Sequence, residues 1–331
     1  MSTASEPRSN RVVYWNGEFV PEPEARLSIY DSALMFGDMV FEMTRSFNGV
    51  QFKLREHLER LYAGTRSLAI DVPMAIEEME KACLETIEAN AGAMADDDEH
   101  RLMIDVTRGL LGIYASTVGV PPGPNVIIAD FPLRWTVAGM TRFFDEGVSV
   151  IVPSQRTIPA RFLDPKVKNR SRIHYLMANQ QVARAEGDRN WALLLDDDGF
   201  IAEGAGDNFF LVKNGKVLTP EPRNILRGIS RDFVIQLAGE LGLDCQECNL
   251  EVYDAVNADE AFVTATPFCI LPVTQVEGKE LGDGKMGPVT KSLLDAWSDR
   301  VGVDIPGQIR AWDAERTDPL ASGPTPYQFK R

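Results

Sequence analysis

Long apolar runs are missing from this sequence. No stretch approaches the roughly 20 residues that cross a bilayer, and Met1 to Asn10 is polar, without the apolar core of a secretion signal. The expected location is therefore the cytoplasm, with no membrane partner. A basic surplus is missing too: 34 Lys and Arg face 49 Asp and Glu, a formal charge of -15. This balance disfavours a phosphate backbone as the main partner, so no nucleic acid is expected. Cysteine is scarce. Four residues, at positions 83, 245, 248 and 269, are too few to frame a chain of 331 residues with disulfides. Cys245-Gln-Glu-Cys248 has the spacing of half a metal site, but no second pair follows and His57, His100 and His174 are scattered. No metal is expected.

What is present has the composition of a globular protein, and the length leaves room for two lobes that each bury a core. Val12 to Tyr14 and Phe19-Val20 flank Asn16-Gly17, a dipeptide that tolerates positive φ and predicts a hairpin. Phe52 to Leu68 has apolar residues at 54, 58, 61 and 62 with charges between, which is helical spacing. Leu102 to Thr107 and Asn125 to Asp130 read as buried strands, and Phe131 to Gly139, with Pro132, breaks the pattern. A strand from Val148 to Val152, a basic loop to Arg172, a helix through Ala185 and a strand from Trp191 to Leu195 follow. Phe200 to Glu203 is a further strand, and Asn208 to Leu218 a hairpin folded at Asn214-Gly215. The expected class is α/β, in the α+β two-lobe sense, with a largely antiparallel second sheet. The expected divisions are a small N-terminal lobe 1–133, an interdomain loop 134–142, a larger mixed-sheet lobe 143–306 and an irregular tail 307–331.

Four segments can be read as parts of one anion-binding site. Leu226-Arg227-Gly228-Ile229-Ser230 leads into an amphipathic helix from Arg231 to Leu241, with Ser230 as its expected N-cap; a glycine turn at a helix N-terminus suits a phosphate. Lys166-Val167-Lys168-Asn169-Arg170-Ser171-Arg172 is a basic run in an acidic chain, either a solvated loop or the place of a nucleophilic lysine. Glu203-Gly204-Ala205-Gly206-Asp207-Asn208 puts a carboxylate at a strand end before small residues, where it is a turn acid or a partner for a ring N–H. Thr264-Ala265-Thr266-Pro267 follows the apolar strand Ala261 to Val263 with hydroxyls that could meet a phosphate, and Arg60 could add a charge-assisted contact or a surface ion pair.

The order in which these segments occur resembles a known family. Glu56-His57-x-x-Arg60-Leu61, Asp164-Pro-Lys-Val-Lys168-Asn169, Glu203-Gly-x-x-x-Asn208, Leu226-x-Gly228-Ile229-Ser230-Arg-Asp, and Thr266 ahead of Leu271-Pro272-Val273 are similar to the class IV aminotransferases. Branched-chain, D-amino acid and (R)-amine transaminases share these segments, from about Trp15 to Leu294 here. The resemblance implies fold type IV, D-amino acid aminotransferase-like, with pyridoxal 5'-phosphate bound to Lys168 as a Schiff base in the larger lobe; Lys166 is the fallback. It implies Glu203 on the pyridine nitrogen, Leu226 against the ring, Tyr175 near the ring hydroxyl, and Arg60, Gly228, Ile229, Ser230 and Thr266 around the phosphate.

For the substrate pocket the same resemblance implies Phe36, Glu42, Arg45, Arg108, Tyr114 and Pro267. Tyr114 stands where (R)-amine transaminases bring an arginine to the substrate carboxylate, and the Arg-x-His pair of the D-amino acid enzymes is missing. The implied reaction is ping-pong transfer between an amino donor and a 2-oxo acid acceptor, branched-chain-like or D-/(R)-selective, in a homodimer or higher homo-oligomer. The alternatives are a lyase resembling the aminodeoxychorismate lyases and a non-catalytic protein that keeps the fold.

Overall fold

The computed structural model describes residues 10–115, 119 and 122–316. The chain packs as two units. Unit 1 runs up to Leu133 and takes back Val167–Ser171; unit 2 holds Arg134–Lys166 and Arg172 onward.

Unit 1 contains, in chain order, β1 (Val12–Trp15), β2 (Glu18–Pro21), α1 (Ser32–Phe36), β3 (Met39–Met43), the small hairpin β4 (Ser46–Phe47) and β5 (Val50–Gln51), α2 (Leu54–Ser67), α3 (Ile76–Asn90), β6 (His100–Thr107), α4 (Gly112–Ala115) and β7 (Asn125–Pro132). The main sheet has the order β2-β1-β7-β6-β3, antiparallel throughout. Side chains alternate across a strand, so Val40, Leu102, Ile104, Val106, Val126 and Ile128 enter one core with Leu58 and Leu61 of α2 and Met79 and Cys83 of α3. Phe41 and Asp105, paired across β3 and β6, take the opposite face. Val167 joins the same core. Burying such a side chain contributes about 1.5–3 kcal/mol, which ties the lysine-bearing pentapeptide to unit 1. The expected assignment of Lys168 to the larger lobe is corrected accordingly: contiguity in sequence concealed where Val167 packs.

Unit 2 begins with helix. Residues 134–142, expected as an interdomain loop, form α5 (Arg134–Val137), a 3-10 turn and the start of α6 (Thr141–Glu146), which buries Phe143 and Phe144. Then come β8 (Val148–Ile151), α7 (Ile173–Val182), β9 (Asn190–Leu195), β10 (Ile201–Gly204), β11 (Asn208–Lys213), β12 (Lys216–Pro220), α8 (Ile229–Glu240), β13 (Cys245–Cys248), α9 (Val252–Val256), β14 (Glu260–Ala265), β15 (Cys269–Val276), β16 (Lys279–Glu280), α10 (Pro288–Val301) and α11 (Ile305–Ala314). The strands form a nine-stranded sheet, β10-β9-β8-β15-β14-β11-β12-β13 with β16 on β15. The pairing Glu203↔Asn208 joins β10 to β11 and closes a circuit through β9, β8, β15 and β14. The β8–β9, β8–β15 and β12–β13 pairs are parallel and the rest antiparallel. The expected tail is corrected as well, because α11 runs to Ala314, capped by Asp304, which accepts from the Gly307 amide at 3.0 Å. The remaining part of that stretch, from 317, lies outside the described residues.

Candidate active site

Within unit 1, the pentapeptide Val167–Ser171 runs beside the edge strand β3. The Phe41 amide donates to the Lys168 carbonyl at 2.9 Å, and Val40 bridges Asn169. The Asn169 side chain stitches its own turn, donating to the Val167 carbonyl at 3.0 Å and accepting from the Ser171 amide at 2.9 Å. The Ser171 hydroxyl donates to the Phe36 carbonyl at 3.1 Å. Gly37 sits at φ 68, and a Cβ there would collide with Ser171 Oγ, so only glycine lets the two turns approach. These bonds place Lys168 Nζ 4.8 Å from the centre of the Phe41 ring. Lys166 packs with unit 2 instead, where its amine meets Asp164 at 2.7 Å and the Arg223 carbonyl at 3.1 Å.

Helix α2 presents His57 and Arg60 one turn apart to Glu42 of β3. Arg60 grips the carboxylate through Nε at 2.6 Å and Nη2 at 2.8 Å, and His57 Nδ1 donates at 2.7 Å. Burial alone would raise the Glu42 carboxyl, yet Arg60 and His57 hold it well below the usual carboxylate range. Burial lowers the His57 pKa against the pull of Glu42, with the charges of Arg60 and Lys168 adding to the effect. The arrangement is an ionised Glu42 and a neutral His57. Arg60 is thereby oriented rather than left to solvent.

Other expected pocket residues are engaged elsewhere in unit 1. Arg108 clamps Asp38 at 2.5 and 3.1 Å and donates to the carbonyls of Leu68 and Ala69 at 2.6 and 2.8 Å. Arg45 is buried, with its guanidinium 3.8 Å over the Phe47 ring. Tyr114 stacks on Tyr30 at 4.7 Å. Phe36 is exposed at the end of α1. Sequence reasoning gave no role to Asp105 or to Arg170, which form an ion pair at 3.0 Å beside Phe41. The signal was a lone carboxylate in an apolar strand, Leu102-Met-Ile-Asp105-Val-Thr107.

Within unit 2, the buried Glu203 at the end of β10 accepts three hydrogen bonds: from the Tyr175 hydroxyl at 2.6 Å, the Leu226 amide at 3.0 Å and Asn208 Nδ2 at 3.4 Å. Tyr175 reaches it from α7, whose buried stripe is His174, Ala178 and Val182. Burial and the Glu203 charge raise the Tyr175 pKa well above its ordinary value, so the hydroxyl keeps its proton and donates. The resemblance implied a ring-hydroxyl contact for Tyr175; here that hydroxyl is committed to Glu203. Asp207 is pushed up to about 8 by burial and by the Glu203 charge. Asn208 also donates to the Leu226 carbonyl at 3.0 Å, linking the β10–β11 turn to the start of α8.

The N-cap of α8 is Gly228, not the expected Ser230, which lies buried inside the first turn. A Cβ at Gly228 would collide with Asn208 Oδ1, so packing and not capping chemistry chose this residue. No side chain caps the helix, leaving the first-turn amides, including Ile229 and Ser230, without an intrahelical acceptor. Thr266 and Pro267 form the turn between β14 and β15. An uncapped helix start suits a phosphate, and a buried carboxylate at a strand end suits a protonated ring nitrogen. The residues present therefore fit a phosphorylated pyridine.

Comparison with known proteins places the chain in a family. Residues 39–276 match the family model for Amino-transferase class IV. The chain is 38% identical to the putative branched-chain-amino-acid aminotransferase of Methanocaldococcus jannaschii over 87% of this chain and 95% of that protein. The crystal structure of the Escherichia coli branched-chain amino acid aminotransferase superposes with a TM-score of 0.79 at 30% identity, covering 87% of this chain and 94% of the other. The branched-chain amino acid aminotransferase of Thermobaculum terrenum, in its PLP-form, gives 0.76 at 26% identity, covering 93% and 97%. With the match spanning β3 to β15, and so both the lysine segment and the glutamate hairpin, this chain belongs to the class IV amino-transferases.

Proposed function

We propose that this enzyme moves an amino group between a branched-chain, aliphatic amino acid and a 2-oxo acid, with pyridoxal 5'-phosphate held by Lys168 and with a homodimer as its working form. Support for the substrate class comes from the relatives, which are named for branched-chain amino acids. The observation that carries the cofactor reading is Glu203, a buried carboxylate held by donors on both oxygens at a strand end. It would fix a protonated pyridine nitrogen, while Ile229, Ser230, Thr266 and Arg60 would receive the phosphate and Leu226 would lie against the ring. Bound there, the cofactor supplies an electron sink for charge that develops on the substrate carbon. Lys168 Nζ would hold the cofactor covalently and, once the donor's amino group has displaced it, the freed amine would serve as base for the proton on the amino-bearing carbon. Glu42 keeps Arg60 oriented, and Tyr175 keeps Glu203 in place.

The test is the visible absorption of purified protein before and after addition of L-amino acids, D-amino acids and (R)-amines in turn. A yellow band that bleaches with one donor class is expected, and the class that bleaches it gives the donor's hand. Lys168→Ala should lose the band and reduce turnover by at least about 10²–10⁴-fold, whereas Lys166→Ala should keep both. The reverse ranking, or a wild type that stays colourless after incubation with the cofactor, overturns the reading.

A further inference from the structure

Phe41 carries two cations. The Arg170 guanidinium lies 3.7 Å from the ring centre and Lys168 Nζ lies 4.8 Å from it, so the two are no farther apart than those distances laid end to end. The cause is local: residues i and i+2 of an extended segment point the same way, and the segment from Lys168 to Arg170 pairs with β3 alongside Phe41. Asp105, the cross-strand partner of Phe41, is buried and binds Arg170 with one oxygen, Oδ1, which accepts from Nη2 at 3.0 Å and Nε at 3.3 Å. That contact fixes the plane of the guanidinium from one edge. Its Nη1 edge meets no protein acceptor among the described residues, and the side chain keeps a third of its surface exposed. An aromatic face below, a carboxylate on one edge and an open edge on the other describe a preset fork for a planar anion.

We propose that Arg170 recognises the α-carboxylate of the amino acid and of the 2-oxo acid, with Asp105 as its positioning residue. An α-amino acid holds its carboxylate one bond from the carbon whose amino group is exchanged, so the group that recognises it must lie near the cofactor lysine, and Lys168 and Arg170 share one phenyl ring. The arginines that the resemblance put in the substrate pocket are engaged in structural contacts, Arg108 on Asp38 and Arg45 over Phe47. The proposal rests on Lys168 being the cofactor lysine.

Its test compares an acid with its amide. Binding of 4-methylpentanoate and of 4-methylpentanamide, neither of which can react, is measured by calorimetry on cofactor-loaded wild type, Arg170→Gln, Arg170→Lys and Asp105→Asn, each first checked for the visible band. Wild type should prefer the acid, and Arg170→Gln should lose roughly 10- to 100-fold in affinity for the acid but little for the amide. Arg170→Lys should recover part of the preference, and Asp105→Asn should retain the acid with a smaller loss. The ratio of kcat/KM for amino acids over carboxylate-free primary amines should fall in step. A merely structural pair would make acid and amide weaken together, which overturns the assignment, as does a loss confined to dicarboxylic substrates. A missing band in wild type overturns the transaminase reading instead, so the two failures are distinct.

Discussion

Each unit buries a carboxylate that the proposed chemistry draws on, and the two are held in opposite ways. Glu42 in unit 1 is clasped by a guanidinium and an imidazole. Glu203 in unit 2 is held by a phenol, a backbone amide and a carboxamide, all neutral donors. The first charge is already neutralised by a cation, so its function is to orient Arg60. The second accepts from dipoles in these three bonds, an arrangement compatible with the proposed contact to a ring N–H.

The largest effect expected from breaking this contrast is on stability in unit 1. Glu42→Gln leaves the partly buried Arg60 without this counter-charge and should cost about 3 kcal/mol in denaturant unfolding. Glu203→Gln should cost the cofactor-free protein less than half of that, because its donors are neutral. Equal losses would erase the distinction.

A smaller effect should come from Gly228→Ala, which drives a Cβ into Asn208 and should lower stability by about 1–3 kcal/mol. In an Asn208→Ala background the same change should cost clearly less, since the atom it strikes is gone. Additive losses would show that the close approach is not the cause.

The smallest effect sharpens the comparison through pH. Asp207 binds its proton more tightly in the folded state than its ordinary 3.8 allows, at about 8. Its contribution is full below pH 4 and is lost as pH rises towards 8. Glu42, with a depressed folded pKa, contributes above about pH 4.5 and loses its contribution as acid protonates it. Unfolding of the cofactor-free protein between pH 5 and 8 should therefore show a decline that Asp207→Asn removes. The expected size is on the order of 1 kcal/mol, because Asp207 keeps some solvent contact. A decline that survives the substitution would assign it to another group.

Much of this was legible in the chain itself, and the failures have physical causes. Asn16-Gly17 and Asn214-Gly215 specify their hairpins locally, and both are present. The helix from Leu54 to Ser67 follows from its apolar spacing. Ser230 misled because side-chain chemistry favours serine as an N-cap, whereas the distant Asn208 requires glycine two residues earlier. Pro132 and Gly139 suggested a loop over 134–142, but Phe143 and Phe144 bury themselves through a helix there. α11 carried its own signal, Asp304 ahead of Pro306, masked by the polar residues beyond it. Long-range pairings such as Arg108 with Asp38, Arg170 with Asp105 or Tyr175 with Glu203 leave no local periodicity, so only the folded chain discloses them.

The return of five residues to unit 1 has a consequence for how such a chain can be recombined. A chimera cut after Leu133 would inherit one parent's N-terminal core and the other parent's Val167, a foreign plug in a cavity shaped by Val40 and Gly64. Exchange between homologues would keep the lysine in register only if residues 167–171 travelled with the first 133, so the unit that can be inherited intact is discontinuous in the gene.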